Sequence, residues 1–189
     1  MIYTSQRLDC LPHTHLGVAR HLLDNHGDSI FGVFASQIGL PRNTLMVIAD
    51  RPLPTPPHAT IPETASWAAT IRPAPGATII PTTGIITHRW FTVLDENVDL
   101  FLKLSADAWD NFEGTNQTEV IGLWRNLAAP APGVTELRLM TWYSSLTSWD
   151  ASRLWRPDPN PATAPAHANF RARGDITLDS TVTVTGRII

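Results

Sequence analysis

EVIGLWRNL, residues 119–127, places Gly122 inside an apolar run that is typical of a buried strand. Earlier in the chain, SIFGVFASQ (29–37) puts Gly32 at the same place in a similar run. In both copies the glycine is followed by an aliphatic and then an aromatic residue. This recurrence indicates that one glycine-containing strand is used twice, and therefore that the chain arose by duplication.

The first half of the chain predicts a strand over 1–10 and then a helix over 14–25 with its apolar residues on one face. The earlier glycine strand follows, paired with TLMVIAD (44–50). PETASWAATIR (62–72) predicts a weak second helix, because a proline and a glutamate suit the first turn of a helix. A short strand over 77–82 completes this half.

The second half predicts the same order with stronger signals. A strand over 85–93 precedes a helix over 97–114, whose apolar residues form one stripe and which ends at a glycine. The later glycine strand and a strand over 134–144 then form a hairpin. A second helix over 145–155 and an alternating strand over 175–189 follow.

Each half therefore has the order β-α-β-β-α-β, which is the ferredoxin-like unit. We predict an α+β fold with two tandem ferredoxin-like units, a degenerate and apolar one over 1–84 and a second over 85–189. Two antiparallel sheets, each covered by helices on one face, would meet through their other faces to form an α/β barrel. The alternative is a single larger α+β domain in which the two glycine strands agree by chance.

Composition excludes several classes of protein. The net charge of −3 gives no basic excess, so we expect neither nucleic acid nor an anionic membrane as a partner. Apolar stretches fall short of the roughly 20 residues of a membrane helix, and no signal peptide is recognisable, so we expect a soluble, cytoplasmic protein. Cys10 is the single cysteine, which excludes an intrachain disulfide. Two proline-rich runs, at 51–62 and 156–166, predict long surface loops.

The second half resembles the NIPSNAP-like group of dimeric α/β-barrel proteins. The resemblance covers about 86 to 184 and is carried by THRWFTVLDENVDLFLKLSADAWDNFEG, VIGLWR, VTELRLMTWYSSLTSWD and FRARGDITLDSTV. The first half carries only a faded version, with IFGVF as its best piece. Because no catalytic signature defines this group, the resemblance indicates the fold more than the chemistry.

The resemblance implies that two ferredoxin-like units pack sheet against sheet around a lumen, either within one chain or between two chains of a homo-oligomer. Related barrels include cofactor-independent monooxygenases, small cyclases and isomerases of natural-product pathways, haem enzymes, and proteins without a known reaction. The family thus leaves the reaction open.

Alternation along the strands of the second half separates two faces. One face is aliphatic, includes Phe91, Ile121 and Leu139, and suits packing under helices. The opposite face carries three tryptophans and several polar groups: His88, Trp90, Thr92, Gly122, Trp124, Glu136, Arg138, Met140, Trp142, Thr177, Asp179 and Thr181. Apolar walls with a few convergent polar groups are typical of a small-molecule site. The alternative is that the polar groups satisfy one another inside an interface.

Within the site hypothesis, His88, Arg138 and Glu136 are the predicted catalytic residues. His88 would accept a proton near neutral pH, and Arg138 would hold an anionic or enolate oxygen. Glu136 or Asp179 would orient the histidine. The predicted substrate-binding residues are Trp90, Trp124, Met140, Trp142 and Asp179, with the indole rings stacking on the ligand.

A metal site is not predicted. His13, His15 and His21 lie close in sequence, but His15 and His21 are six residues apart and do not share a helix face. We expect no bound cofactor. Haem is the alternative, since related barrels hold it through a histidine, and His88 would then be the axial ligand.

Taken together, the sequence predicts an α/β barrel that binds a small hydrophobic or aromatic molecule. The first functional hypothesis is a cofactor-independent enzyme, either a cyclase or isomerase or a monooxygenase. The second is a non-catalytic protein that binds a ligand or oligomerises, and the third is a haem-binding barrel enzyme.

Overall fold

The computed structural model of the chain describes residues 1–77, 83–153 and 164–188, and at residues 115 and 116 only the backbone. The strands in this part of the chain are β1 (Ile2–Cys10), β2 (Ile30–Ile38), β3 (Thr44–Ala49), β4 (Ala59–Ala69), β5 (Ile85–Leu94), β6 (Thr118–Asn126), β7 (Val134–Tyr143) and β8 (Thr177–Arg187). The α-helices are α1 (His15–His26), α2 (Val98–Asn116), α3 (Leu146–Ala151) and α4 (Ala164–Asp175). None of these helices is long and apolar enough to cross a membrane.

The strands form one closed antiparallel barrel in the order β1-β3-β2-β8-β5-β7-β6-β4. Within it, β4-β1-β3-β2 and β8-β5-β7-β6 repeat the same order, in which the fourth strand of each half lies beside the first. This is the strand order of the ferredoxin-like unit. The predicted fold class is therefore confirmed, and the barrel closes within a single chain. The division of the chain at residue 84 stays a prediction.

The two glycine strands share a β-bulge at the same place. The register between β2 and β3 shifts between Ile30 and Gly32, and that between β6 and β7 shifts between Val120 and Gly122. In each strand one extra residue stands directly before the glycine, as a bulge requires. The repeated sequence therefore encodes a repeated irregularity of the backbone.

The bulge corrects the predicted orientation of Ile121. We expected Ile121 to pack under the helices, but it lies in the apolar cluster that fills the barrel interior, together with Trp124 and Met140. An extra residue in a strand shifts the alternation of side chains between the two faces. Phe31, which precedes the first-half glycine, packs against the same interior cluster.

Gly122 has a specific steric role. A Cβ atom at this position would lie 2.3 Å from Cη2 of Trp124. The indole of Trp124 therefore folds back over the strand two residues earlier, and only glycine leaves room for it. The close approach that the glycine permits is made by the chain's own side chain.

The predicted helix over 62–72 is wrong, because residues 62–69 belong to strand β4. This strand pairs with β1 along most of its length and with β6 at its end. Two neighbouring strands offer it hydrogen-bonding edges, and this tertiary pairing outweighs a weak helix propensity. Of the strand predicted over 77–82, Ala77 is not in a strand and the other residues lie outside the described part of the chain.

The proline-rich run takes the place of the missing helix in the first half. Residues 50–58 cross from β3 to β4 over the outer face of the sheet. The Gln6 side chain holds this crossover, because its Nε2 donates to the Leu53 carbonyl at 3.0 Å and its Oε1 accepts from the Leu53 amide at 2.8 Å. Leu53 is buried in the apolar cluster beneath α1.

In the second half, the predicted helix over 97–114 and the predicted strands correspond to α2 and β5 to β8. Helix α3 is shorter than its predicted range of 145–155, and the last two of those residues lie outside the described ones. Helix α4 was missed, because its sequence has no clear apolar stripe. It is held by α2, where the Asn111 side chain accepts from the Ala166 amide at 3.3 Å.

Replacing Gly122 with alanine should destabilise the fold, because the new Cβ would clash with the indole of Trp124. We expect a loss of about 1–3 kcal/mol in the free energy of unfolding, measured by urea denaturation. Gly17→Ala in α1 is the control: its Cβ would meet nothing within 4 Å, so this variant should be unchanged or stabilised. Equal stability of the Gly122 variant and wild type would contradict the steric role.

Candidate functional site

The structure brings two of the predicted catalytic residues together inside the barrel. Nη2 of Arg138 donates to Nδ1 of His88 at 2.8 Å, and Nε2 of His88 lies 2.8 Å from Oγ1 of Thr185. Because a guanidinium group only donates hydrogen bonds, Nδ1 accepts and Nε2 carries the proton that it donates to Thr185. His88 and Arg138 are both buried.

Burial lowers the pKa of His88 well below its usual value, and the positive charge of Arg138 is the second, smaller cause. Burial likewise lowers the pKa of Arg138 to about 10, against the opposing effect of the carboxylates of Glu63 and Glu136. The histidine is therefore neutral at physiological pH, and both of its ring nitrogens are engaged. In this arrangement it is a satisfied polar group of the core.

Aromatic side chains fill the barrel interior around this pair. The Arg138 guanidinium lies 5.3 Å from the ring centroid of Trp90 and 5.8 Å from that of Trp67. Trp124 and Met140 are fully buried beside it. A void of about 10 Å³, bordered by Trp124 and Arg138, lies in this interior, and such a void has the size of one water molecule. The predicted site residues of the lumen thus form a packed core.

The predicted carboxylates do not contact His88. Glu136 accepts a hydrogen bond from Nδ2 of Asn126 at 2.8 Å, and Asp179 is exposed and pairs across the sheet with Thr92. The cross-strand partner of His88 is Thr183, four residues from Asp179 and so about 13 Å away along the strand. Thr185 accepts the hydrogen bond from His88, and the sequence analysis did not identify it. The alternating threonines of TVTVTG (181–186) could have placed it on the inner face.

Trp142, the last of the predicted binding residues, is half-buried at the end of β7. Its Nε1 donates to the Thr83 carbonyl at 2.7 Å. The catalytic and binding roles of the lumen residues stay predictions, since their geometry by itself shows packing and hydrogen bonding.

A much larger cavity lies on the opposite side of the same strands. It is bordered by the outer faces of β5, β7 and β8 and by α2, α3 and α4, it is partly open to solvent, and its volume is about 450 Å³. We call it the helix-side cavity. Its floor contains the short side chains of Thr87 and Thr141, and its walls are rich in aromatic rings: Phe91, Trp109, Phe112, Tyr143, Trp149 and Phe170.

Three arginines and one carboxylate border the helix-side cavity among its described lining residues. Arg89 comes from β5, Arg153 follows α3, Arg173 lies on α4, and Asp179 lies on β8. The guanidinium of Arg153 stacks on the ring of Trp149 at 4.0 Å from its centroid. The cavity therefore combines apolar walls with an excess of positive charge.

Thr177 was expected on the lumen face, but it borders the helix-side cavity. The register between β5 and β8 shifts between Thr92 and Val93, which now pairs with Thr177. A shift of this kind moves a residue to the other face of a sheet.

Tyr143 is the buried phenol of the helix-side cavity. Burial raises its pKa, and a hydrogen bond with Ser152 acts in the opposite direction. Its ring packs edge to face on Phe112, with centroids 6.3 Å apart. The phenol is thus protonated at neutral pH and fixed in orientation.

The helix-side cavity was missed because the outer strand face was interpreted as packing under helices. Arg89 on β5 was the signal that could have found it, since a cation on that face contradicts simple apolar packing. The second signal, Arg173, fell in a segment for which no helix was predicted.

The described side chains do not form a ligand set for a metal ion or for haem. These contain no group of three or more histidine, cysteine, aspartate or glutamate side chains that could hold a metal ion. The described lining of the helix-side cavity contains no histidine, cysteine or methionine, and its phenol, Tyr143, is hydrogen-bonded with Ser152. His88, the predicted axial ligand, has both nitrogens engaged. The described side chains therefore do not fit haem.

Replacing Thr185 with valine should destabilise the protein, because the buried Nε2–H of His88 would lose its acceptor. We expect a loss of about 1–3 kcal/mol in the free energy of unfolding, measured by urea denaturation. Thr183→Val is the matched control, since the buried Oγ1 of Thr183 has no hydrogen-bond partner among the described atoms. If the two variants lost equal stability, the hydrogen bond from His88 would carry no special weight.

Comparison with known proteins shows the fold. No protein-family model matches the chain, and no curated protein matches it. Among solved structures, a protein assigned as a monooxygenase from Fusobacterium nucleatum subsp. nucleatum is similar at a TM-score of 0.58 and 7% identity, over 100% of this chain and 92% of that one.

An anthrone oxidase-like protein is similar at a TM-score of 0.53 and 13% identity, over 100% of this chain and 92% of that one. A haem-degrading enzyme from Listeria monocytogenes is similar at a TM-score of 0.52 and 11% identity, over 97% of this chain and 98% of that one. At these identities the likeness extends to the architecture and not to the chemistry. The chain therefore has the fold of the dimeric α/β-barrel proteins, closed within one polypeptide.

Proposed function

We propose that the protein binds a small hydrophobic or aromatic molecule in the helix-side cavity. The observation that carries this proposal is the cavity itself: about 450 Å³, bordered by a sheet and three helices, partly open to solvent and lined by aromatic rings. Ligand sites in proteins commonly measure roughly 300–1,000 Å³ and have mostly apolar walls with a few polar groups. The void of about 10 Å³ in the barrel interior is too small for such a ligand.

The walls suit a flat ring system. Phe112 lies at the centre of an aromatic wall, with ring centroids 5.2 Å from Phe170 and 6.3 Å from Tyr143, both in edge-to-face contact. Such walls present both ring faces and ring edges to a bound aromatic molecule. The hydroxyls of Thr87 and Thr141 add polar groups to the floor.

His88 and Arg138 lie on the inner face of β5 and β7, whose outer faces border the helix-side cavity. His88 alternates along β5 with Thr87 and Arg89, which both line the helix-side cavity. His88 accepts a hydrogen bond from Arg138 on β7 and donates one to Thr185 on β8, and these two bonds fix the strand that forms the cavity floor. On this proposal His88 and Arg138 are positioning residues, and the predicted role of Glu136 in catalysis stays a prediction.

A cofactor-independent enzyme is the second candidate function. Arg89 and Arg173 border an apolar cavity, where a cation stabilises an enolate or phenolate formed by loss of a proton. A monooxygenase of this kind would convert anthrone and O₂ into anthraquinone and water, and a cyclase or isomerase would use the same anion. The monooxygenase and anthrone oxidase-like names of two similar structures favour the first reaction.

The proposal includes a family assignment for the second half of the chain. We infer a NIPSNAP-like protein of a natural-product pathway from the second-half segments quoted above, acting in the cytoplasm. The homo-oligomer implied by that resemblance stays a prediction, and light scattering from the purified chain would test it.

A neutral bicyclic aromatic should bind the purified protein at one site. We expect saturable binding of 2-naphthol by isothermal titration calorimetry, weakened at least about tenfold by Gly174→Trp, whose indole would occupy the cavity. Gly174→Ala is the matched control, because a Cβ at Gly174 meets nothing within 4 Å. Unchanged binding by a folded Gly174→Trp variant would place the ligand elsewhere.

A measurement of turnover distinguishes the hypothesis of an enzyme from that of a non-catalytic binding protein. If the second candidate is correct, the protein should consume one O₂ per anthrone faster than the uncatalysed reaction, measured with an oxygen electrode, and Gly174→Trp should abolish the increase. Binding of 2-naphthol and of anthrone without oxygen uptake would favour the non-catalytic alternative.

A further inference from the structure

We propose that the natural ligand of the helix-side cavity carries an acidic oxygen, a carboxylate or an ionised phenol or enol, which Arg173 and Arg89 bind. This inference rests on the proposed ligand-binding function of the cavity and specifies the class of ligand. It depends on how these two arginines are placed and on which charges surround them.

Arg173 is a buried cation in aromatic surroundings. It is 9% exposed and lies on α4. Its guanidinium carbon is 4.7 Å from the ring centroid of Phe170, 4.9 Å from that of Phe91 and 5.2 Å from that of Phe101. Its Nη1 donates to Oγ of Ser105 at 3.2 Å. Within the described part of the chain this neutral hydroxyl is the hydrogen-bond acceptor for a group with five N–H donors.

Arg89 places a second cation on the same cavity. Its guanidinium carbon lies 6.0 Å from the ring centroid of Phe91, which it shares with Arg173, and its Nη1 donates to Oγ of Ser180 at 3.4 Å. The two arginines approach from opposite walls, one on the sheet and one on a helix. A planar anionic group between them would receive donors from both.

Two other buried or half-buried arginines have carboxylates near them. Arg72 forms a 2.6 Å ion pair with Glu113, and Arg138 is stabilised by the charges of Glu63 and Glu136. Among the described residues, neither Arg89 nor Arg173 forms an ion pair within 4.0 Å. The one carboxylate among the described lining residues belongs to Asp179, whose residue is exposed.

Two like charges that border one cavity, of which Arg173 is buried and Arg89 half-buried, destabilise each other unless an anion compensates them. Burial is the main reason that the pKa of Arg173 is lowered to about 9, and the charge of Arg89 lowers it further. Tyr143 acts in the opposite direction and raises this pKa. Burial is also the main reason that the pKa of Arg89 is lowered. A buried cation without a carboxylate partner is costly to the fold, and its retention at the wall of a ligand-sized cavity points to a negatively charged ligand.

The test compares two isosteric probes, 2-naphthoate and neutral 2-naphthamide, by isothermal titration calorimetry with the full chain. We expect 2-naphthoate to bind at least about tenfold more tightly at low salt, as charge-assisted hydrogen bonds to a guanidinium imply. This preference should fall as salt is added. Arg173→Gln should remove most of the preference by weakening naphthoate and leaving naphthamide within about twofold.

Arg171→Gln is the matched control for charge on the same helix, because Arg171 is exposed and is not among the lining residues. It should leave the preference for naphthoate unchanged. If Arg173→Gln does not fold, Arg89→Gln on the half-exposed strand residue provides the second variant, and the wild-type comparison of the two probes needs no variant.

Equal affinity of wild type for naphthoate and naphthamide would overturn the inference and leave the proposed binding function standing. A preference that Arg173→Gln and Arg89→Gln both leave unchanged would also overturn it. Failure of both probes and of 2-naphthol to bind would instead contradict the proposed function of the cavity.

Discussion

The hydrogen bonds that close the barrel are the constraint on which the rest of the structure depends. Strand β2 pairs with β8, and β4 pairs with β6, so two sheets of four strands become one ring without free edges. Closure requires residues 59–69 to be a strand, although the local sequence over 62–72 predicts a weak helix. It also gives every strand an inner face toward a narrow interior and an outer face toward helices or crossovers.

The two faces of β5 show what this constraint does to polar side chains. On the inner face, His88 is neutral and exchanges hydrogen bonds with Arg138 and Thr185 in a packed interior. On the outer face, Arg89 and Arg173 border one cavity, and among the described residues neither forms an ion pair within 4.0 Å. The same strand thus carries a histidine with both ring nitrogens hydrogen-bonded on one side and, on the other, a cation that shares a cavity with Arg173. Uncompensated charge beside open volume distinguishes a binding surface from structural packing.

The halves of the barrel diverged on their outer faces more than in their strands. In the first half, α1 and the crossover through Leu53 cover the sheet closely, since Gln6 binds the crossover backbone directly. In the second half, α3 has only six residues and α4 packs on α2, which leaves about 450 Å³ above the sheet. The repeated strand order therefore forms the barrel, and the unequal second connections leave the cavity. Both halves keep the glycine bulge, because it sets which side chains enter the interior.

The sequence by itself determined strands β1 to β3 and β5 to β8, the α1 and α2 helices and the repeated glycine strand, because these depend on local periodicity and on residues with special backbone or steric properties. It also placed His88 and Arg138 correctly on the inner face. Only the tertiary structure decided that residues 59–69 pair as a strand, that α4 forms, and that Ile121 points inward past a bulge. It alone placed the cavity outside the barrel, because the volume between a sheet and its helices depends on how long-range elements pack, and no local pattern records that distance.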